Sequence, residues 1–408
     1  MKTDEKILNI TNDVTWIGVL DPGLRHFDVV METEFGTTYN SYFIAAQKKA
    51  IVETAKEKFF DIWMSKLTRL CNLKELEYVF VNHTEPDHSG SLKKLIELAP
   101  QVKVVGSGNA IRYLSEIMNC EFQHIVVKES DVIDLGNKKM KVIGAPNLHW
   151  PDSIYTYLEE DKVLFTCDSF GAHYCDAEMF DDKVGDFDKA FRYYFHMILR
   201  PFSKFMLKAI EKIRPLDIKA ICTGHGPLLT SDWKRYVDLT EELATRYLEM
   251  PAKERVFIPF VAAYNKTGVL AEAIAKGVRA AGNIEVEVCD IEHVSPMVLD
   301  DKITRCTGII VGCPTINQNI LLPVYTLFAV INPLRDRGKL AGCFGSYGWS
   351  GEASKILETN LQNLKLNYFP GGLFVKFTPS EADLLQAEEY GLAFGKKILE
   401  LNRVTCNG

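Results

Sequence analysis

Short apolar runs separated by polar turns open the chain. Alternation in TWIGVL (15–20) and TTYNSYFI (37–44) predicts two early strands, and YVFVN (78–82), VKVVGS (102–107), KMKVIGA (139–145), SIYTYLEE (153–160) and KVLFTC (162–167) predict more deeply buried ones. Between them, SLKKLIELA (91–99) and NAIRYLSEIM (109–118) carry the three-to-four spacing of helices covered on one face. That spacing returns in RYYFHMILRPFSKFMLKAIEKI (192–213), where Pro201 removes a backbone donor and predicts a kink. A strand at IKAICT (218–223) and a long helix from about Ser231 to Glu249 follow. Sheets covered by helices on their outer faces are the expected arrangement.

The pattern then changes. MPAKERV (250–256) is short, polar and contains a proline, so the best linker falls there, dividing the chain into residues 1–253 and 254–408. From Val256 onward strands and helices alternate strictly: VFIPFVAA, TGVLAEAIAKGVRAA, IEVEVCD, TGIIVGC, a helix around PVYTLFAVI, LAGCFGS, EASKILETNLQ and a last helix SEADLLQAEEYGLAFGKKILEL. Such alternation predicts an open, doubly wound parallel sheet, with ligands at the carboxyl ends of its strands. Two domains also suit 408 residues, a length beyond the usual reach of one core.

Charge and cysteine content narrow the class. A net charge of -7 argues against a nucleic-acid partner. Ten cysteines contain no C-x-x-C pair, so most are expected to be buried thiols in a reducing compartment, with no rubredoxin-like module in the chain. The first residues lack the apolar core of a signal peptide, and no long apolar window suggests a membrane span. A cytoplasmic protein is expected.

Candidate chemistry follows the strands. After YVFVN come His83, Glu85, Asp87 and His88 in HTEPDH; His149 lies in NLHWPDS, Asp168 in FTCDSFG and His225 in GHGP. Each sits in the turn after an apolar strand, which is how separate loops bring ligands to one sheet edge. Three or four imidazoles with three carboxylates are too many for one tetrahedral ion and suit two metals with a bridging carboxylate. No cysteine joins them, which disfavours a structural zinc site. Glu85 stands where a zinc hydrolase would carry a third histidine, and its hard oxygen favours iron.

The spacing is similar to that of metallo-β-lactamase-fold proteins, and the H-x-E-x-D-H variant resembles the diiron domain of flavodiiron proteins. Both halves of the chain fit. The resemblance implies an N-terminal αββα metallo-β-lactamase-like sandwich followed by a flavodoxin-like sheet. It implies that His83, Glu85 and His149 bind one iron, that Asp87 and His225 bind the other, and that Asp168 bridges them; His88 is left in or out of the coordination sphere. His173 in FGAHYC and Tyr193 or Tyr194 in RYYF stand where the family places residues near the diiron pocket, Tyr194 being taken with His173 as the catalytic candidates. His26 has a weaker context, and His124, His196 and His293 have none.

A flavin mononucleotide domain needs a phosphate cradle after its first strand, and AAYNKTG (262–268) occupies that place. The family's S/T-x-x-G-x-T pattern is altered here to Ala262 and Asn265; Asn tolerates the left-handed backbone that glycine would adopt, and Thr267 keeps a hydroxyl. Tyr264 and Lys266 complete that candidate loop. Pro314, Thr315, Ile316 and Asn317 in GCPTINQN resemble the segment beside the flavin ring, and Ser346, Tyr347, Gly348 and Trp349 in GSYGWSGEA the loop placing an aromatic against it. The combination implies electron delivery from FMN to two irons and reduction of O2 to water, of NO to N2O, or both, protecting an anaerobic or microaerobic cell. It further implies a head-to-tail homodimer or a tetramer, and a separate donor such as rubredoxin, a reduced deazaflavin or another reductase. The competing expectation is a zinc-dependent hydrolase fused to a flavodoxin-like domain.

Overall fold

The computed structural model describes residues 5–28, 31–248 and 254–405. The chain forms two compact units, Met1–Glu249 and Met250–Gly408. The linker expected at MPAKERV begins outside the described residues.

In the first unit two sheets face each other. One has seven strands in the order Leu8–Asn9, Val14–Trp16, Tyr42–Ile44, Lys49–Val52, Leu76–Phe80, Lys103–Ser107 and His124–Val127. The other has five, running in sequence order from Val132–Asp134 through Lys139–Gly144, Ile154–Leu158 and Val163–Cys167 to Ala220–Thr223. Alternation along each strand decides what goes where. Trp16, Tyr42, Ile44, Phe80 and Val105 meet Val142, Ile154, Val163, Phe165 and Cys222 in a core between the sheets. The opposite faces are covered by helices: Phe60–Leu70, Leu92–Leu98 and Gly108–Met118 on the first sheet, Asp188–Tyr194, Ser203–Ile213 and Trp233–Leu248 on the second. The result is an αββα sandwich.

Both early strands are broken where the sequence predicts continuity. Val14–Trp16 pairs with Tyr42–Ile44, but Val19–Asp21 leaves that sheet to pair with Thr37–Tyr39. The cause is Gly18, whose missing Cβ would stand 2.4 Å from the Tyr39 carbonyl oxygen. With no side chain in the way, the two strands bend together, and Asn40 fastens the corner by donating to the carbonyls of Thr223 and Gly226 at 3.0 Å each. This bend carries Thr38 to the functional edge.

The kink expected at Pro201 is an extended interruption. Asp188–Tyr194 continues as a π-helical turn over Phe195–Leu199 and a 3-10 turn over Arg200–Phe202 before Ser203–Ile213 resumes. π-helical turns of this kind occur frequently at functional sites.

The second unit is a parallel sheet in the order Ile284–Asp290, Glu254–Phe260, Gly308–Gly312 and Leu340–Tyr347, the last pairing with both Asn367–Tyr368 and Leu373–Lys376. Val256 and Ile258 pack under the helices Lys266–Ala280 and Glu381–Thr405. Phe257 points the other way, into the layer containing Pro296–Arg305, Leu322–Val330 and Ala353–Asn363. Helices on both faces and a strand order of 2-1-3-4-5 make this a flavodoxin-like doubly wound sheet.

Candidate functional site

Four strands of the first unit end at one edge. Leu76–Phe80 delivers residues 83 to 88, Lys139–Gly144 the loop with His149, Val163–Cys167 the turn with Asp168, and Ala220–Thr223 the turn with His225. Pro86 starts a short helical turn, Pro86–Ser89, that folds Asp87 and His88 back toward the edge. His83, Asp87, His88, Asp168 and His225 are all buried.

Two groups form around Asp168. Glu85 Oε2 lies 3.2 Å from His83 Nε2 and 3.0 Å from His149 Nε2, and these nitrogens stand 3.5 and 3.4 Å from Asp168 Oδ2. Asp87 Oδ2 lies 3.5 Å from His88 Nε2 and 3.0 Å from His225 Nε2, which stand 3.1 and 3.6 Å from Asp168 Oδ1. One carboxylate thus turns one oxygen to each group. All seven predicted residues are brought together, His88 included.

The donors fit metal better than one another. Neither oxygen of Asp87 nor Oδ2 of Asp168 has a hydrogen-bond partner although all are buried, and buried carboxylate oxygens left unpaired are costly. Buried carboxylate oxygens that face imidazole nitrogens yet accept no hydrogen bond are what lone pairs around a shared cation require. The metal-free protein must instead fill the space with protons. Burial opposes charge on His88, yet Asp87 and Asp168 outweigh it and push the imidazole up to about 10. Burial likewise opposes charge on His149, but Asp168 and Glu85 raise it to about 9. Burial would raise Glu85 and Asp168; their histidines instead hold both carboxyls below the ordinary range.

Outer partners fix the rings. Asp152 Oδ2 lies 3.2 Å from His83 Nδ1 and accepts from the Thr84 amide and hydroxyl at 2.8 and 2.9 Å. The Thr38 carbonyl accepts from His225 Nδ1 at 2.6 Å. These contacts set which nitrogen faces the cluster. Sequence reasoning missed both; Asp152, three residues after His149 in HWPDS, was visible as a candidate acid, whereas Thr38 arrives only because of the Gly18 bend.

Above the cluster is a cavity of about 30 Å³, lined by Phe27, Asp28, Met31 and Ile198 together with Tyr194 and five of the acids and imidazoles. That is room for one or two water-sized molecules. The Tyr194 hydroxyl donates to Asp168 Oδ1 at 2.9 Å, and burial with the adjacent Asp168 keeps its phenol protonated far above the ordinary value. His173 is not a lining residue. Its Nδ1 pairs with the Thr37 hydroxyl at 2.9 Å, its ring lies 5.2 Å from that of His225, and burial together with His225 holds it neutral. His26 and His124 are exposed, and His293 almost wholly so. Asp28, beside His26, was also missed: burial and then Glu85 and Asp87 raise its carboxyl to about 6.

In the second unit the three candidate loops follow the parallel strands Glu254–Phe260, Gly308–Gly312 and Leu340–Tyr347 at their carboxyl ends. Ala262 and Tyr264 lie in the first, and Asn265 takes the left-handed conformation, φ 56°, before the helix that contains Lys266. The buried Thr267 hydroxyl meets the Ser346 hydroxyl at 3.1 Å, tying the first loop to the third. Thr315 donates its amide to the Ser346 carbonyl at 2.9 Å, tying the second, which turns at Asn317 with φ 53° between Ile316 and Asn319. Pro314 precedes that turn, and Tyr347 and Gly348 lead to Trp349. Trp349 is 78% and Tyr264 85% exposed, leaving two rings in solvent beside the switch point of the sheet, where such folds bind cofactors.

Similarity to known proteins agrees with this geometry. Residues 37–226 match the family model described as ODP family beta lactamase. A flavo-diiron protein, FprA2, of Clostridium acetobutylicum is 38% identical, covering 96% of this chain and 99% of its own. A protein of Moorella thermoacetica named nitric oxide reductase is 33% identical over 96% and 98%. The solved rubredoxin oxygen:oxidoreductase from Desulfovibrio gigas superposes with a TM-score of 0.75 at 26% identity, covering 97% of this chain and 99% of the other. A lactamase-like metal scaffold joined to a flavodoxin-like sheet in one continuous match leaves one assignment: the chain belongs to the flavodiiron proteins, oxidoreductases that carry FMN and a diiron centre.

Proposed function

We propose that this protein reduces O2 to water, NO to N2O, or both, at two irons in its first unit, with electrons relayed through FMN at the loops of the second. The observation that carries this reading is Asp168, whose two oxygens face two separate nitrogen-and-oxygen groups. His83, Glu85 and His149 would hold one iron, Asp87, His88 and His225 the other, and Asp168 both. Bound iron supplies reversible one-electron chemistry, and FMN supplies the means of refilling it.

The protein's own groups do the rest. Phe27, Met31 and Ile198 narrow the cavity to the scale of a diatomic molecule. Tyr194 holds a proton at its hydroxyl on the cavity wall and steadies Asp168 by the same hydrogen bond. His173 stays neutral and packs against His225, a positioning role. In the second unit, the amides and hydroxyls around Asn265 and Thr267 would meet the FMN phosphate, Pro314 to Asn317 the ring edge, and Trp349 its face. A zinc hydrolase is not favoured: the cavity has no room for a bulky substrate, and Glu85 suits a harder ion.

We further propose a head-to-tail homodimer, or a tetramer of two such dimers, in which FMN of one subunit serves the irons of its partner. The exposed rings of Tyr264 and Trp349 suit a covered surface. Electrons would come from a separate rubredoxin, a reduced deazaflavin or another reductase. Among the described residues eight cysteines, Cys175 aside, are free thiols, in keeping with a reducing cytoplasm, and no helix is long and apolar enough to cross a membrane. The test is anaerobic stopped-flow of the protein, reconstituted with iron and FMN and fully reduced, against O2 and NO in turn. Flavin reoxidation with at least one gas is expected, and none with either would overturn the reading.

A further inference from the structure

Beneath the metal cluster lies a buried acid that the mechanism does not use. Glu53 follows the strand Lys49–Val52 in a left-handed conformation, φ 58°, which a residue with a Cβ enters rarely. Its backbone is fastened there: the Glu53 amide donates to the Phe80 carbonyl at 2.9 Å, and its own carbonyl accepts from the Ser41 hydroxyl at 2.8 Å. The turn sends the side chain inward, leaving the residue 2% exposed. Oε1 accepts from the Asn82 amide at 2.7 Å, whereas Oε2 is buried with no partner. Strained backbone and an unpaired buried oxygen at one residue are the marks of a built site.

What stands beside it is His88. The Glu53 carboxylate, a His88 ring nitrogen and the Cys167 thiol lie within 4.8 Å of one another. His88 Nε2 already faces Asp168 Oδ1 at 3.1 Å and Asp87 Oδ2 at 3.5 Å, which leaves Nδ1 as the nitrogen available to Glu53. The next residue grips the same histidine from its main chain, since the Thr54 amide and hydroxyl both donate to the His88 carbonyl, at 2.9 and 2.6 Å. His83 and His225 each have their outward nitrogen held, by Asp152 and by the Thr38 carbonyl. His88 needs the equivalent partner.

We propose that Glu53 is the positioning residue of His88: its free carboxylate oxygen accepts the Nδ1 proton, fixes the tautomer whose Nε2 lone pair faces the cluster, and so keeps His88 in the coordination sphere. The inference rests on the diiron reading of the site and deepens it, because it names what decides the place of the ligand nearest the bridge.

The test uses the full chain, loaded with zinc for nitrogen-15 NMR of its histidines and with iron for chelator challenge. In the wild type, His88 should show a single tautomer with the proton on Nδ1, and a proton on Nε2 overturns the proposal without any variant. Glu53→Ala should mix the His88 tautomers and speed removal of one iron of the pair by about 10- to 100-fold, with His83 signals unchanged. Glu53→Gln, whose amide oxygen can still accept, should restore the tautomer and most of the iron retention, which a purely structural loss would not predict. Unchanged His88 signals and iron retention in Glu53→Ala overturn the proposal, as does a third metal per chain, which would make Glu53, His88 and Cys167 a metal position instead. Fewer than two metals in the wild type, with His149 and His225 signals unmoved by zinc, would mark failure of the diiron reading itself.

Discussion

The two candidate sites are built by opposite means. The metal cluster is assembled from largely buried titratable side chains, seven residues from four loops, with His83 and His225 oriented from outside by Asp152 and the Thr38 carbonyl. The flavin loops offer backbone, hydroxyls and two solvent-exposed rings, with Thr267 and Ser346 as their buried link. A cation needs donors in place before it arrives, since buried charges cannot rearrange cheaply. A large planar cofactor brings its own surface and needs an open edge to lie on. The first site should therefore fail abruptly when altered, and the second gradually.

The largest separation between them is expected from Asp168→Ala. Removing the shared carboxylate should cut iron retention and gas-driven turnover by more than about 100-fold, beyond what the loss of an outer partner costs, while FMN content holds near one per chain. Iron assay and flavin absorbance on the same sample check this; joint loss of FMN would mean the two sites are not independent. Asp152→Ala should weaken metal binding by about 10- to 100-fold through disorientation of His83, measured by competition with a chromophoric chelator.

Protons sharpen the contrast next. In the metal-free protein His88 and His149 titrate at about 10 and about 9, above the ordinary imidazole value, so their charged forms stabilise the fold fully below about pH 6.5. That contribution fades as pH rises through 9 to 10. Metal must displace those protons, so uptake at pH 7 should release them and apparent affinity should climb by up to about tenfold per pH unit per proton, levelling off above pH 10. Proton release during anaerobic metal titration in weak buffer measures it, and FMN binding should show no such release. The smallest effect belongs to Trp349→Ala, which should weaken FMN by about 0.5 to 1.5 kcal/mol and leave iron content unchanged, as fluorescence titration of the apoflavin form will report.

How much of this the sequence discloses depends on distance along the chain. His83, Glu85, Asp87, His88, His149, Asp168 and His225 are legible because each is a polar residue in the turn after an apolar strand. The parallel sheet of the second unit is legible because its period is regular, and the left-handed Asn265 because asparagine tolerates that backbone. What stays hidden is whatever long-range packing creates. Thr38 reaches His225 only after Gly18 lets two strands bend, Glu53 reaches His88 through a strained turn, and the π-helical turn after Tyr194 leaves no mark beyond Pro201 several residues later. The early strands were expected whole for the same reason: alternation reports which face is apolar and cannot report a departure from the sheet.

The bend at Gly18 has a consequence for how the protein is made. Thr38 and His225 are separated by 187 residues, and the second metal group is not oriented until they meet. A nascent chain can therefore expose HTEPDH long before anything exists to complete the cluster, and those residues alone would hold a ferrous ion weakly. Iron loading becomes a step that follows synthesis of more than half the polypeptide, so metal scarcity should accumulate folded, empty protein rather than half-built chains.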